Sequence, residues 1–131
     1  MQPLALNHIR IARPSAQFAQ TEDFWVSGIG LTVLGRTDNT ATGDHALVFL
    51  GWPDAAWHLE LVDSPELPPQ ATVEDLLVLY IAEPVEQGTV DRILSSGGKR
   101  VHSHNPYWDE NGVTFEDPDG YRCVLSSQFW S

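Results

Sequence analysis

The sequence is short of cysteine, of positive charge and of long apolar runs, and each shortage closes off a class of protein. Its one cysteine, Cys123, has no partner in the chain. That excludes an internal disulfide and points to a reducing, cytoplasmic setting. Only seven lysines and arginines stand against eighteen aspartates and glutamates, giving a net charge of -11. With a sequence pI near 4.5, the surface repels phosphate backbones and anionic lipids at long range. Nucleic acid is not an expected partner. No apolar run reaches the roughly 18 residues of a membrane span. Residues 1–13 lack a basic stretch followed by an apolar segment, so neither a membrane nor a secretory leader is expected. Also missing are a Ser-His-Asp or Cys-His spacing and a glycine-rich phosphate loop opening a helix.

What is there suits one compact domain. A chain of 131 residues buries roughly two-thirds of the surface its unfolded form exposes, so a ligand pocket needs no disulfide or structural metal. Apolar residues at 42% and charged ones at 19% match ordinary globular usage and argue against disorder.

Residues 6–12 (LNHIRIA) alternate, with Ile9 and Ile11 on one side and His8, Arg10 and Ala12 on the other. This predicts a strand with one apolar and one polar face. Arg13-Pro14-Ser15 is expected to end it, with Ser15 as a helix N-cap. Phe18, Thr21, Glu22 and Trp25 then recur at helical spacing until Gly28 and Gly30. Residues 31–36 and 46–51 read as strands around a polar turn at 38–44. Residues 57–62 (WHLELV) alternate again, placing Leu59 and Leu61 opposite His58, Glu60 and Val62.

Three prolines in residues 64–72 (SPELPPQAT) mark a connector, and the pattern then restarts. A strand is predicted over 76–82, a helix over 85–95 closed by Gly97-Gly98, and a short strand over 99–102. A loop over 104–109 (HNPYWD) leads to a strand over 112–116. The tight turn Asp117-Pro118-Asp119-Gly120 and a strand over 121–126 complete a hairpin. Each half therefore reads strand, helix, three strands. Ile11-Ala12-Arg13-Pro14 aligns with Ile81-Ala82-Glu83-Pro84, which indicates internal duplication. The expected modules are 1–63 and 73–131, joined by the connector 64–72.

Two such modules, the opening LNHIRIARP, the helix end FWVSGIGL and the hairpin DPDGYRCVL together resemble the vicinal oxygen chelate superfamily. That group includes glyoxalase I, fosfomycin-resistance proteins, bleomycin-binding proteins and extradiol dioxygenases. The stretch NPYWDENGVTFEDPDGYR is similar to an uncharacterised bacterial branch of it. The resemblance implies an α+β fold in which two βαβββ modules form an open, curved mixed sheet around a cleft. It also implies a homodimer, since the superfamily often pairs modules between chains.

The resemblance carries four metal-ligand positions onto His8, Glu60, Val78 and Val124. Imidazole and carboxylate suit a divalent ion such as zinc, iron, manganese or nickel, but the two valines have no donor atom. No cofactor is therefore expected, although His8 and Glu60, with His58 as a candidate third ligand, keep a divalent metal in play. Against this stands a plain hydrogen bond from His8 to Glu60 across the sheet. His45, His102 and His104 read as solvated, Trp25 as helix-face core, and Cys123 as buried and inert.

The expected partner is a small organic molecule, and the two inward-facing arginines favour one carrying an anionic group. Its binding residues would be Arg10, His58, Tyr80, Tyr107, Trp108 and Arg122. A salt-bridge network, with Glu60 neutralising one arginine and Glu116 or Asp109 the other, explains the charges equally well. Three functions compete. One is a binding protein with an incomplete metal site, and the second a metal-dependent lyase, transferase or dioxygenase. In the third, a metal-free catalyst, Glu60 or His58 is the base.

Overall fold

A computed structural model describes residues 3–38 and 46–131. Most of the turn expected at 38–44, and His45, lie outside the described residues. Two four-stranded mixed sheets form, with few helices. In the first half, β1 (Ile9–Ser15) leads to α1 (Phe18–Asp23), which continues as one π-helical segment, Phe24–Ile29. Next come β2 (Thr32–Thr37), β3 (Leu47–Gly51) and β4 (Trp57–Asp63). The second half has β5 (Leu76–Tyr80), α2 (Gln87–Ser95), β6 (Lys99–Val101), α3 (Pro106–Glu110), β7 (Gly112–Glu116) and β8 (Arg122–Ser126). The strand orders are β1-β4-β3-β2 and β5-β8-β7-β6. In each, the first strand runs parallel to the last and the remaining pairs are antiparallel.

Alternation decides which face is buried. Val48 and Leu50 of β3, Leu59 and Leu61 of β4, Phe115 of β7 and Cys123 and Leu125 of β8 share one core with Phe24, Trp25, Val90 and Ile93 from the helices. The intervening residues Arg10, His58 and Glu60 lie on the other face of the first sheet. On the second sheet the corresponding face is partly covered. Ser103 Oγ bonds Thr114 Oγ1, and Thr114, Val124 and Ser126 are all buried.

Several local expectations need correction. The first strand begins at Ile9 rather than residue 6, so His8 precedes it. It also runs through Pro14, tolerated because among the described residues β1 pairs on one side only and the missing N–H breaks no ladder. Ser15 is not the helix N-cap: Gln17 holds that position without a side-chain cap bond, and the Ser15 hydroxyl donates to Asp119. Within the expected loop at 104–109, Pro106–Glu110 is helical. Pro106 has the φ a first turn needs, and Asn105 caps it by accepting from the Tyr107 N–H.

The hairpin turn turns out to join the halves. Asp119 accepts from the Ser15 and Thr21 hydroxyls and from the Ala16 and Gln17 N–H groups. Asp117 accepts from Trp25 Nε1 at 3.1 Å and from the N–H groups of Asp119 and Tyr121. Arg13 reaches across the same seam to lie 4.6 Å over the Tyr121 ring. Glycine permits the closest helix approach. A Cβ on Gly98 would meet Ile93 and Phe24 at 2.8 Å. Gly30, at φ 98°, ends the π-helical segment in the left-handed region open to glycine.

Candidate functional site

The polar face of the first sheet gathers four of the sequence candidates. Parallel pairing sets Arg10 beside His58 and Ala12 beside Glu60. His8 is therefore four residues, roughly 13 Å of strand, from the position facing Glu60. His58 fills the gap. Its Nδ1 lies 2.7 Å from His8 Nε2, and its Nε2 lies 2.9 Å from Glu60 Oε1. The expected direct bond from His8 to Glu60 is thus replaced by a relay through His58. An ionised carboxylate only accepts, so His58 Nε2 carries a proton and donates to Glu60 Oε1. The two imidazoles lie edge to edge, 25° from coplanar with 4.9 Å between centroids, and Phe49 meets His58 edge-on at 5.7 Å.

Arg10 closes the other side of Glu60, with Nη2 at 2.7 Å from Oε2. The Glu60 side chain is 5% exposed and that of Arg10 57%, so the patch is closed at the carboxylate and open at the guanidinium. Burial pushes the Glu60 pKa up, but the bonds and charges of Arg10 and His58 together outweigh it and hold it below the usual carboxylate range. A carboxylate held there is a weak base.

The remaining candidates lie elsewhere. Arg122 donates from Nη1 to the His102 carbonyl at 3.2 Å, and its Nε lies 3.6 Å from Glu116. Both partners belong to the second half, and Glu116 supplies the neutralising carboxylate weighed in the sequence. Tyr107 and Trp108 stand edge-to-face in α3. Tyr80 packs against Trp130. No described contact joins these four to the histidine patch. His102 and His104 are exposed. Cys123 is fully buried, which pushes its thiol well up.

Sequence reasoning missed the joining role of Asp117 and Asp119, because a DPDG turn carries no sign of what its carboxylates reach. It also missed Trp52 and Trp57, which meet edge-to-face at 5.8 Å. For Trp57 a signal was present: it alternates with His58 and must face the opposite side of β4.

Comparison with known proteins places the fold. The YycE-like N-terminal domain matches residues 9–62 and the YycE-like C-terminal domain residues 74–127. The uncharacterized protein YycE of Bacillus subtilis (strain 168) is 36% identical over 120 residues, covering 89% of this chain and 85% of its own. The chain belongs to the YycE-like family. The crystal structure of YycE, a protein of unknown function grouped with glyoxalase/fosfomycin resistance proteins, superposes with a TM-score of 0.81 at 32% identity. The match covers 96% of this chain and 93% of YycE.

Two further structures share the fold at low identity. A FosX variant from Listeria monocytogenes, complexed with Mn(II) and 1S,2S-dihydroxypropylphosphonic acid, gives 0.67 at 14% identity, covering 95% and 93% of the chains. The antibiotic-binding protein TnmS3 from a Streptomyces species gives 0.64 at 22%, covering 95% and 98%. The α+β architecture and the vicinal oxygen chelate resemblance are thereby established for this chain.

A divalent ion does not fit the patch as it stands. The donor atoms of His8, His58 and Glu60 face one another in series rather than converging, and among the described residues no three His, Cys, Asp or Glu side chains form a metal-holding group. Glu60 already has a cation, the Arg10 guanidinium, which would repel a second. Val78 pairs with Val124 in the second sheet, and neither offers a donor.

Proposed function

We propose that this protein binds a small organic molecule on the polar face of its first sheet and performs no metal chemistry there. One observation carries this reading: the donors a metal would need are spent on each other and on Arg10. The ligand's anionic group would meet Arg10. Only Nη2 of that guanidinium is held, by Glu60; the other two nitrogens have no partner among the described residues. Arginine keeps its charge and grips a carboxylate with paired hydrogen bonds, while Phe49 and the two near-coplanar imidazoles offer flat surface beside it. The lowered Glu60 pKa favours binding over base catalysis.

A second reading, a metal-dependent enzyme, draws on the Mn(II) complex of FosX and on the exposure of Arg10, which is free to swing away and release Glu60. A thermal-shift screen of small carboxylates with matched neutral and cationic compounds separates the two. Carboxylates should stabilise the protein and lose that effect in Arg10→Ala. Hits confined to cationic or neutral compounds would refute the anionic ligand. About one zinc, iron, manganese or nickel per chain in protein purified without chelator, lost on His8→Ala, would establish the second reading instead.

The two halves match the units 9–62 and 74–127, which supports modules 1–63 and 73–131 with a connector at 64–72. A homodimer is part of the proposal. Among the described residues, strands β1 and β5 each pair on one side only. Ile9, 44% exposed, and Leu77 line a hollow of about 410 Å³ along those edges, and open apolar edges are normally covered. Light scattering should give about twice 14.6 kDa; a single-chain mass at micromolar concentration would refute it. The unpaired, buried Cys123 supports a cytoplasmic setting. Among the described residues, no helix is long and apolar enough to cross a membrane.

A further inference from the structure

The opposite side of β4 carries a cavity that the polar patch does not explain. It has a volume of about 470 Å³, inside the roughly 300–1,000 Å³ range of small-molecule sites. Both halves build it. Trp52 and Trp57 come from the β3–β4 turn and the start of β4, Tyr80 from the end of β5, and Arg92 from α2. Leu79 and Leu125 add aliphatic wall.

Three aromatic side chains around one hollow are costly to leave open to water. Trp52 and Tyr80 are nevertheless each 38% exposed, and Trp57 is only half-buried. The two indoles stand at 75° and form a corner whose walls match the face and edge of a flat ring. Trp130 lies 5.4 Å from Tyr80 and continues the aromatic rim.

Arg92 supplies the polar anchor. Its Nε donates to the Gly28 carbonyl at 2.9 Å, which fixes the guanidinium. The two terminal nitrogens have no partner among the described residues and leave a fork for a carboxylate. Glu83 shares the rim, so a ligand with a single negative charge fits better than one with two.

We infer that this cavity is a second binding site, for a flat aromatic molecule carrying one carboxylate. It is separate from the polar patch: Trp57 and His58 are neighbours on one strand and point to opposite faces.

The probe is 2-naphthoate, followed by equilibrium dialysis and tryptophan fluorescence. Saturable binding is expected, weakened about tenfold or more by Arg92→Met, the effect of losing a charge-assisted hydrogen bond. Neutral 2-naphthol should bind wild type and Arg92→Met equally. Trp52→Ala should weaken both compounds, with Trp52→Phe recovering part of the loss and guarding against a folding artefact. Absence of saturable binding up to millimolar 2-naphthoate would overturn the inference. So would binding abolished by Arg10→Ala and untouched by Trp52→Ala, which would place the molecule on the polar patch and leave that proposal standing.

Discussion

Replacing Asp119 by alanine tests whether the hairpin turn holds the two halves together. Its carboxylate accepts four hydrogen bonds from the other half: Ser15 Oγ at 2.5 Å, Thr21 Oγ1 at 2.7 Å, Gln17 N at 2.8 Å and Ala16 N at 2.9 Å. These donors differ in what they lose. Ala16 and Gln17 are exposed, so their N–H groups turn to water at little cost. Ser15 and Thr21 are fully buried, and an unsatisfied buried hydroxyl costs roughly 1–3 kcal/mol. Two of them give a loss of about 2–6 kcal/mol, against a total stability of roughly 5–15 kcal/mol for a domain. Urea unfolding followed by tryptophan fluorescence measures it. Adding Ser15→Ala and Thr21→Val to Asp119→Ala removes the stranded donors and should recover part of the loss, because deleting both partners costs less than deleting one. A loss below about 0.5 kcal/mol, or no recovery in the triple variant, would refute the reasoning.

Two further outcomes follow from buried groups at the same seam. Burial, together with the charge of Asp119, pushes the Asp117 pKa up to about 6, against the bonds it accepts from Trp25 and the turn. Its folded value lies above its unfolded one, so the stability this group contributes is full below about pH 4 and is lost as pH rises through about 6, a change of about 3 kcal/mol. Glu60, with a lowered pKa, works in the opposite direction, so the comparison is wild type against Asp117→Asn, which should lack the Asp117 decline; parallel pH profiles would refute it. Cys123, fully buried with its thiol pushed well up, should react with iodoacetamide only as fast as the chain unfolds; prompt labelling of the native protein would refute its burial.

The strands were legible because one face of each sheet is apolar and packs on the helices, and alternation of residue type reports that face directly, even where the other face is buried as well, as at Thr114, Val124 and Ser126. His58 and Glu60 against Leu59 and Leu61 is such a case, and the structure keeps it. Register was not legible. Sequence alternation puts His8 and Arg10 on one face but does not say which residue of β4 sits beside each. A shift of two positions decides whether His8 meets Glu60 or His58. Helix ends failed where a tertiary partner outcompeted a local one. Ser15 is a good N-cap by type, yet its hydroxyl is taken by Asp119, more than a hundred residues away. Proline and asparagine at 105–106 suggested a loop, although the same pair starts a helix when the asparagine side chain accepts from the N–H two residues on.

The two proposed sites depend differently on that seam, and this gives a sharper consequence. His8, Arg10, His58 and Glu60 all belong to the first sheet and its approach, held by the β1–β4 ladder. The aromatic cavity takes Trp52 and Trp57 from the first half and Tyr80 and Arg92 from the second, and Arg92 itself is fixed by Gly28 across the boundary. A change that loosens the boundary without unfolding either sheet should therefore weaken the cavity and spare the patch. Asp119→Ala, kept well below its melting temperature, is such a change. 2-Naphthoate should bind it about tenfold more weakly, the cost of about 1.4 kcal/mol in re-ordering two walls on binding. A carboxylate that stabilises wild type through Arg10 should raise the melting temperature of the variant by a similar increment. Equal weakening at both sites would mean that the first sheet does not hold its polar face without the second. Undiminished naphthoate binding would mean that the aromatic walls are fixed by something other than the Asp119 bonds.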